Sequence, residues 1–119
     1  MGSSVIGTCS CGYETEAAVG GGMRNFKTSC YFPCLCESCR TVVSANLLAA
    51  APACPQCQGR ALVAYDEPGM SQAPGEHKIA QWNVKEQLGR ELLLTDGKYL
   101  CPNCHQMTLQ FRDSGVRWD

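Results

Sequence analysis

The chain has 119 residues, with ten Lys and Arg against eleven Asp and Glu and a formal charge of −1. That length is one domain's worth, and scattered basic residues without a net positive charge disfavour a nonspecific grip on a phosphate backbone. The apolar fraction of 45 % includes ten cysteines, so the aliphatic core is modest, and no apolar run reaches the roughly 18–20 residues that span a bilayer.

The opening "MGSSVIGTC" lacks a basic region followed by an apolar stretch, so no secretory signal is read there. It fits an N-myristoylation site only loosely, with Ile6 where Ser or Thr belongs. The expected setting is the reducing cytoplasm, with no membrane attachment, where disulfides are rare.

Residues 5–19, "VIGTCSCGYETEAAV", predict two short strands around a turn at Cys9–Gly12. "GGG" at 20–22 allows a sharp bend. "RTVVSANLLA" at 40–49 and "RALVAY" at 60–65 predict strands, joined through the connection at 49–53. "DEPGMSQAPGEH" at 66–77, with two prolines and two glycines, predicts a surface linker or long loop. "KIAQWNV" at 78–84 predicts a strand. In "NVKEQLGREL" at 83–92, Asn83 and Glu86 make a capping box and Val84, Leu88 and Leu92 share a helical face, which predicts a short helix despite Gly89. Two hairpins are expected at the end. One is "ELLLTDGKYLC" with Asp96-Gly97 at its turn, and the other is 107–118, turning at Asp113–Gly115.

The cysteines carry the chemistry. Cys36-x2-Cys39, fourteen residues, then Cys54-x2-Cys57 is the strongest signal in the chain. A tetrahedral zinc takes four soft ligands at about 2.3 Å. A C-x2-C turn points both sulfurs at one place, and the interval allows a strand out and a return. The second set is Cys9 and Cys11 with Cys101 and Cys104. "CSCGY" and "CPNC" both read as knuckles between strands, and the long loop between them is no obstacle, because closure cost grows only logarithmically with length. Cys30 and Cys34 remain between readings: an additional metal or redox pair, partners of Cys9 and Cys11, a Cys34 that replaces Cys36, or ordinary buried apolar residues. His77 and His105 are not needed where four cysteines already suffice.

"CESCRTVVSANLLAAAPACPQCQGRALVAY" resembles a zinc ribbon of the broad rubredoxin-like type. The second knuckle has the "CPQC" pattern, followed by Gln58 and Gly59, whereas the first has Arg40 where glycine is usual. Over 36–65 the resemblance implies a ribbon fold with a structural metal; with the second cysteine set and the 83–92 pattern, the expected fold is small, mainly β and metal-stabilised, two ribbons of short β-hairpins with room for one short helix. Residues 1–33 plus 78–119 would form a discontinuous ribbon, 34–65 an inserted one and 66–77 the linker. Two zinc ions are expected, with iron as the alternative, since four thiolates suit both. Two zinc tetrathiolates would take the formal charge to about −5.

No H-E-x-x-H, G-x-S-x-G or Walker-type pattern occurs, and all-cysteine sites leave no open catalytic position. No catalytic residue is expected. The expected partner is another protein, with a nucleic-acid ribbon and an iron electron carrier as alternatives. The aromatic residues Tyr13, Phe26, Tyr31, Phe32, Trp82, Tyr99, Phe111 and Trp118 are read as core in preference to a stacking platform.

Overall fold

The computed structural model describes residues 2–21, 29–49, 51–73, 75–84 and 88–118. Among the described residues ten strands run in chain order: β1 (Gly2–Cys9), β2 (Glu14–Gly20), β3 (Tyr31–Cys36), β4 (Thr41–Asn46), β5 (Leu62–Ala64), β6 (Ser71–Ala73), β7 (Lys78–Val84), β8 (Arg90–Thr95), β9 (Lys98–Leu100) and β10 (Met107–Trp118). Eight form one sheet in the order β4-β3-β2-β1-β10-β9-β6, with β5 also on β3; β7 and β8 form a second, two-stranded sheet. The small, mainly β expectation holds.

The strands follow alternation. In β1, Val5, Gly7 and Cys9 face inward, and in β2, Ala17 and Val19 do the same. In β8, Leu92 and Leu94 are fully buried while Leu93 between them is exposed. Period-2 burial of this kind needs one covered face. The cover comes from the second sheet, whose β7 lies against β1, β2 and β10.

Four expectations change. The 83–92 stretch is not one helix: Asn83 and Val84 close β7, and Arg90 to Leu92 open β8, while residues 85–87 lie outside the described residues. Val84 and Leu92, a helical face by spacing, are instead buried on two paired strands. Asp96-Gly97 does not turn a hairpin, because β8 pairs with β7 and β9 pairs with β10 and β6. A type I′ hairpin turn needs positive φ at both central residues, and neither Asp96 nor Gly97 has it. Asp96 Oδ1 instead accepts from His77 N (3.2 Å) and Thr95 Oγ1 from Gly75 N (3.1 Å), making a corner between sheets.

At 107–118 there is one long strand and no turn. Opposite Ser3–Val5, β10 runs from Arg117 back to Asp113, so it bulges by two residues against β1. Gly115 (φ 85°) takes the left-handed conformation, Ser114 Oγ donates to Ser4 O (2.9 Å), and Asp113 Oδ1 accepts from Gly115 N (2.9 Å). The "DSG" signal therefore marks a bulge, a feature built from the same residue types as turns. The 66–77 stretch has more structure than a linker. A 3-10 turn over Pro68–Met70 buries Met70, and β6 joins the sheet edge beside β9.

Strand β3 was not anticipated. Pro33 sits in its middle, which a central strand does not normally allow. Its carbonyl accepts from Tyr65 N (3.1 Å), so its nitrogen faces the same edge. On that edge β2 bridges β3 only at Tyr31 and β5 pairs from Cys34 onward, so Pro33 lies between the two pairings. The missing N–H therefore breaks no ladder bond.

Candidate metal centres

Neighbouring strand ends bring the cysteines together in two clusters. Cys9 ends β1 and Cys11 lies in the turn that follows. Cys101 and Cys104 lie in the connection from β9 to β10. Since β1 pairs with β10 and β10 with β9, both turns emerge side by side. Cys36 and Cys39 occupy the β3–β4 turn, and β5, which follows Cys54 and Cys57, pairs back onto β3 with Leu62 opposite Cys36. The result is one group of Cys9, Cys11, Cys101 and Cys104 and another of Cys36, Cys39, Cys54 and Cys57, each with its sulfurs within 4.8 Å of one another.

Sulfur spacing tests the fit to a metal. Four sulfurs at about 2.3 Å from one ion sit about 3.8 Å apart in a tetrahedron. Cys9 and Cys104 Sγ are 3.7 Å apart, as are Cys11 and Cys101, and Cys36 and Cys57; Cys39 and Cys54 are 3.9 Å apart. Each group therefore has the dimensions of a tetrathiolate shell and could hold a metal ion.

The turns share a construction. Arg40 N donates to Cys36 O (2.8 Å), Gln58 N to Cys54 O (2.8 Å) and His105 N to Cys101 O (2.9 Å); in the shorter Cys9 turn, Gly12 N donates to Cys9 O (3.0 Å). Backbone N–H groups then point at sulfur: Cys39 N to Cys36 Sγ, Gln56 N to Cys54 Sγ and Gly59 N to Cys57 Sγ, all at 3.4 Å. The first cluster adds side-chain donors. Thr108 Oγ1 is 3.0 Å from Cys9 Sγ, and Asn103 Nδ2 donates to Cys11 Sγ (3.5 Å). Such partners spread a thiolate's charge and orient it for a cation.

The protonation pattern is that of crowded thiols awaiting a cation. Burial works to raise Cys9, but the Cys11 amide and the Thr108 hydroxyl outweigh it and bring the thiol down to about 6. Burial likewise opposes ionisation of Cys54, and the Cys57 and Gln56 amides overcome it, to about 7. Cys39, hydrogen-bonded to Cys57 and desolvated, is pushed up to about 12. Burial pushes Cys101 to about 12 as well. Burial and neighbouring donors thus pull the thiols of each cluster in opposite directions, whereas metal binding requires all four as thiolates.

Every residue after the second cysteine of a turn adopts positive φ: Gly12 (99°), Arg40 (54°), Gln58 (61°) and His105 (60°). Only the first is glycine. The departure from the ribbon pattern at Arg40 is thus a change of residue and not of conformation. The left-handed region costs a non-glycine residue about 1–2 kcal/mol, of which glycine's extra unfolded-state entropy gives back roughly 0.5–1 kcal/mol. Arg40→Gly, Gln58→Gly and His105→Gly are each expected to raise the thermal midpoint of the loaded chain by a few degrees, and Gly12→Ala to lower it, as read by calorimetry.

Cys30 and Cys34 join neither cluster. Both are fully buried on the β3 side of the core. Burial pushes the Cys30 thiol up to about 11, a Gly20 backbone bond only partly opposing it, and the Cys34 thiol donates to Phe32 O (3.5 Å). Cys30→Ala and Cys34→Ala are expected to keep the metal stoichiometry of the parent chain while costing about 1 kcal/mol each, as checked by elemental analysis and denaturant titration. His77 and His105 are exposed and belong to neither cluster.

Comparison of the chain with protein-family models, with curated proteins and with solved structures gives no match. The fold and its cysteines nevertheless define a class: a small, mainly β protein with two four-cysteine groups that could hold metal, consistent with zinc-ribbon-like motifs.

Proposed function

We propose that the protein is a non-enzymatic structural-zinc protein of the ribbon type, with one ion in each cluster, acting through contacts with other proteins as an adaptor or accessory factor. The observation that carries this reading is the sulfur spacing of 3.7–3.9 Å in groups made entirely of cysteine. Four thiolates fill a tetrahedral zinc and leave no position for water or substrate, which is the character of a structural site. Cys9, Cys11, Cys101 and Cys104 hold one ion; Cys36, Cys39, Cys54 and Cys57 hold the other. No helix of the described residues is long and apolar enough to cross a membrane.

Elemental analysis of the purified chain tests the proposal, with two zinc per chain expected. Partner contact is tested by cross-linking in extract: a specific partner should be captured by the loaded chain and lost on chelation. A second reading draws on the exposure of Cys11 and Cys57, one sulfur in each cluster. Exposed ligand sulfurs suit an iron centre that passes electrons, and a coloured protein with two iron per chain would decide for it.

A further inference from the structure

We infer that Tyr13 couples the two cysteine clusters, so that an ion in one raises the affinity of the other. The inference rests on the reading that both clusters hold metal.

Tyr13 belongs to the first cluster by its backbone and reaches the second by its side chain. Its carbonyl accepts from Cys9 N (3.0 Å), closing the turn that presents Cys9 and Cys11. Its phenol oxygen accepts from Val42 N (2.9 Å) and lies 2.8 Å from Thr41 Oγ1. Thr41 and Val42 directly follow Arg40, whose N–H closes the Cys36–Cys39 turn. A continuous run of bonds therefore links one sulfur pair to the other.

Among the described residues two other side-chain bonds join the halves, Ala18 N to Ser44 Oγ (2.9 Å) and Tyr65 Oη to Leu100 O (2.8 Å), and neither touches the Cys9–Cys11 or the Cys36–Arg40 turn. β2 and β3 bridge only at Gly20 and Tyr31. That pair lies at the end of each strand remote from its cysteines. Between the Cys36–Arg40 and Cys101–His105 turns lies a cleft of about 330 Å³, lined on one side by Glu37 and Arg40 and on the other by Pro102 and His105. The phenol bonds Thr41 and Val42 where the β2–β3 ladder does not reach. An ion that fixes the Cys9–Cys11 turn fixes Tyr13, and with it the start of β4 and the turn before it. The same linkage must run in reverse with the same factor.

Cobalt(II) titration of the apo chain tests this, because each thiolate-bound cobalt absorbs visible light. In the parent chain two equivalents should be taken up, the second more tightly than the first. Removing the second cluster with Cys54→Ser/Cys57→Ser should weaken cobalt binding at the first by about tenfold, within the usual range of site-to-site coupling. In a Tyr13→Phe background the same pair of substitutions should leave the first cluster's affinity unchanged. Independent filling in the parent chain, or a tenfold effect that persists in Tyr13→Phe, would overturn the inference. If Tyr13→Phe does not load, Thr41→Val takes its place. It removes the hydroxyl partner alone and should shrink the coupling, and an undiminished factor would again overturn the claim. A parent chain that takes up no metal at all fails the zinc reading instead.

Discussion

Stripping both ions from the loaded chain is expected to unfold it. A structural zinc contributes apparent binding energy of about 10–16 kcal/mol in small peptides at neutral pH, whereas a whole domain is stable by about 5–15 kcal/mol. The apolar core offers little reserve, since Cys9, Cys30, Cys34, Cys36, Cys54 and Cys101 are themselves among its buried members. Six of these positions count as core, and four of the six are also cluster sulfurs. Without a cation those four sulfurs are polar groups held in the interior without the ligand their clusters are shaped for. A strong chelator should collapse the dispersion of amide resonances, and zinc should restore it. A dispersed spectrum that survives chelation unchanged would show that packing alone holds the chain.

The second large effect is expected at Phe111. Its ring meets Tyr65 edge to face at 5.4 Å and Tyr99 at 5.3 Å, and the two tyrosines meet each other at 6.0 Å. Phe111 stands opposite Gly7 on β1, where a Cβ would lie 3.1 Å from the ring. The glycine thus leaves the room that the ring fills. Phe111→Ala should cost about 3–5 kcal/mol, the range for removing a buried aromatic side chain, with two equivalents of metal still bound. Denaturant unfolding of the loaded chain measures it. By contrast, Tyr65→Phe keeps the ring contacts and loses only the bond from Tyr65 Oη to Leu100 O (2.8 Å), a change of about 1 kcal/mol before the cost of the orphaned carbonyl.

The parts readable from sequence are those set by short-range chemistry. The strands flanking Cys9 and Cys11 were legible because alternation and a glycine after the second cysteine both survive in the sequence. The sulfur groups were legible because two cysteines at close spacing have few ways to face one point. Their pairing across the chain depended on β1 lying beside β10, which no local pattern encodes. Tyr65 escaped notice among the aromatics: a single residue after a short strand shows nothing of the three-ring cluster that only β9 and β10 complete. Strand β3 was hidden by its proline and by cysteines whose spacing drew attention to ligation. At 83–92, Val84 and Leu92 fit a helical period and two strands of a hairpin equally well, and tertiary pairing decided between them.

The order of the strands also sets the order of assembly on the ribosome. Cys36, Cys39, Cys54 and Cys57 all emerge before Cys101 is translated, so the inner cluster can assemble while the chain is still growing. The outer centre must wait for Cys104, and until then Cys9 and Cys11 are left as a free pair of thiols on a nascent polypeptide. β10, which follows Cys104 in the chain and pairs with β1, is what sets Cys9 and Cys11 beside Cys101 and Cys104.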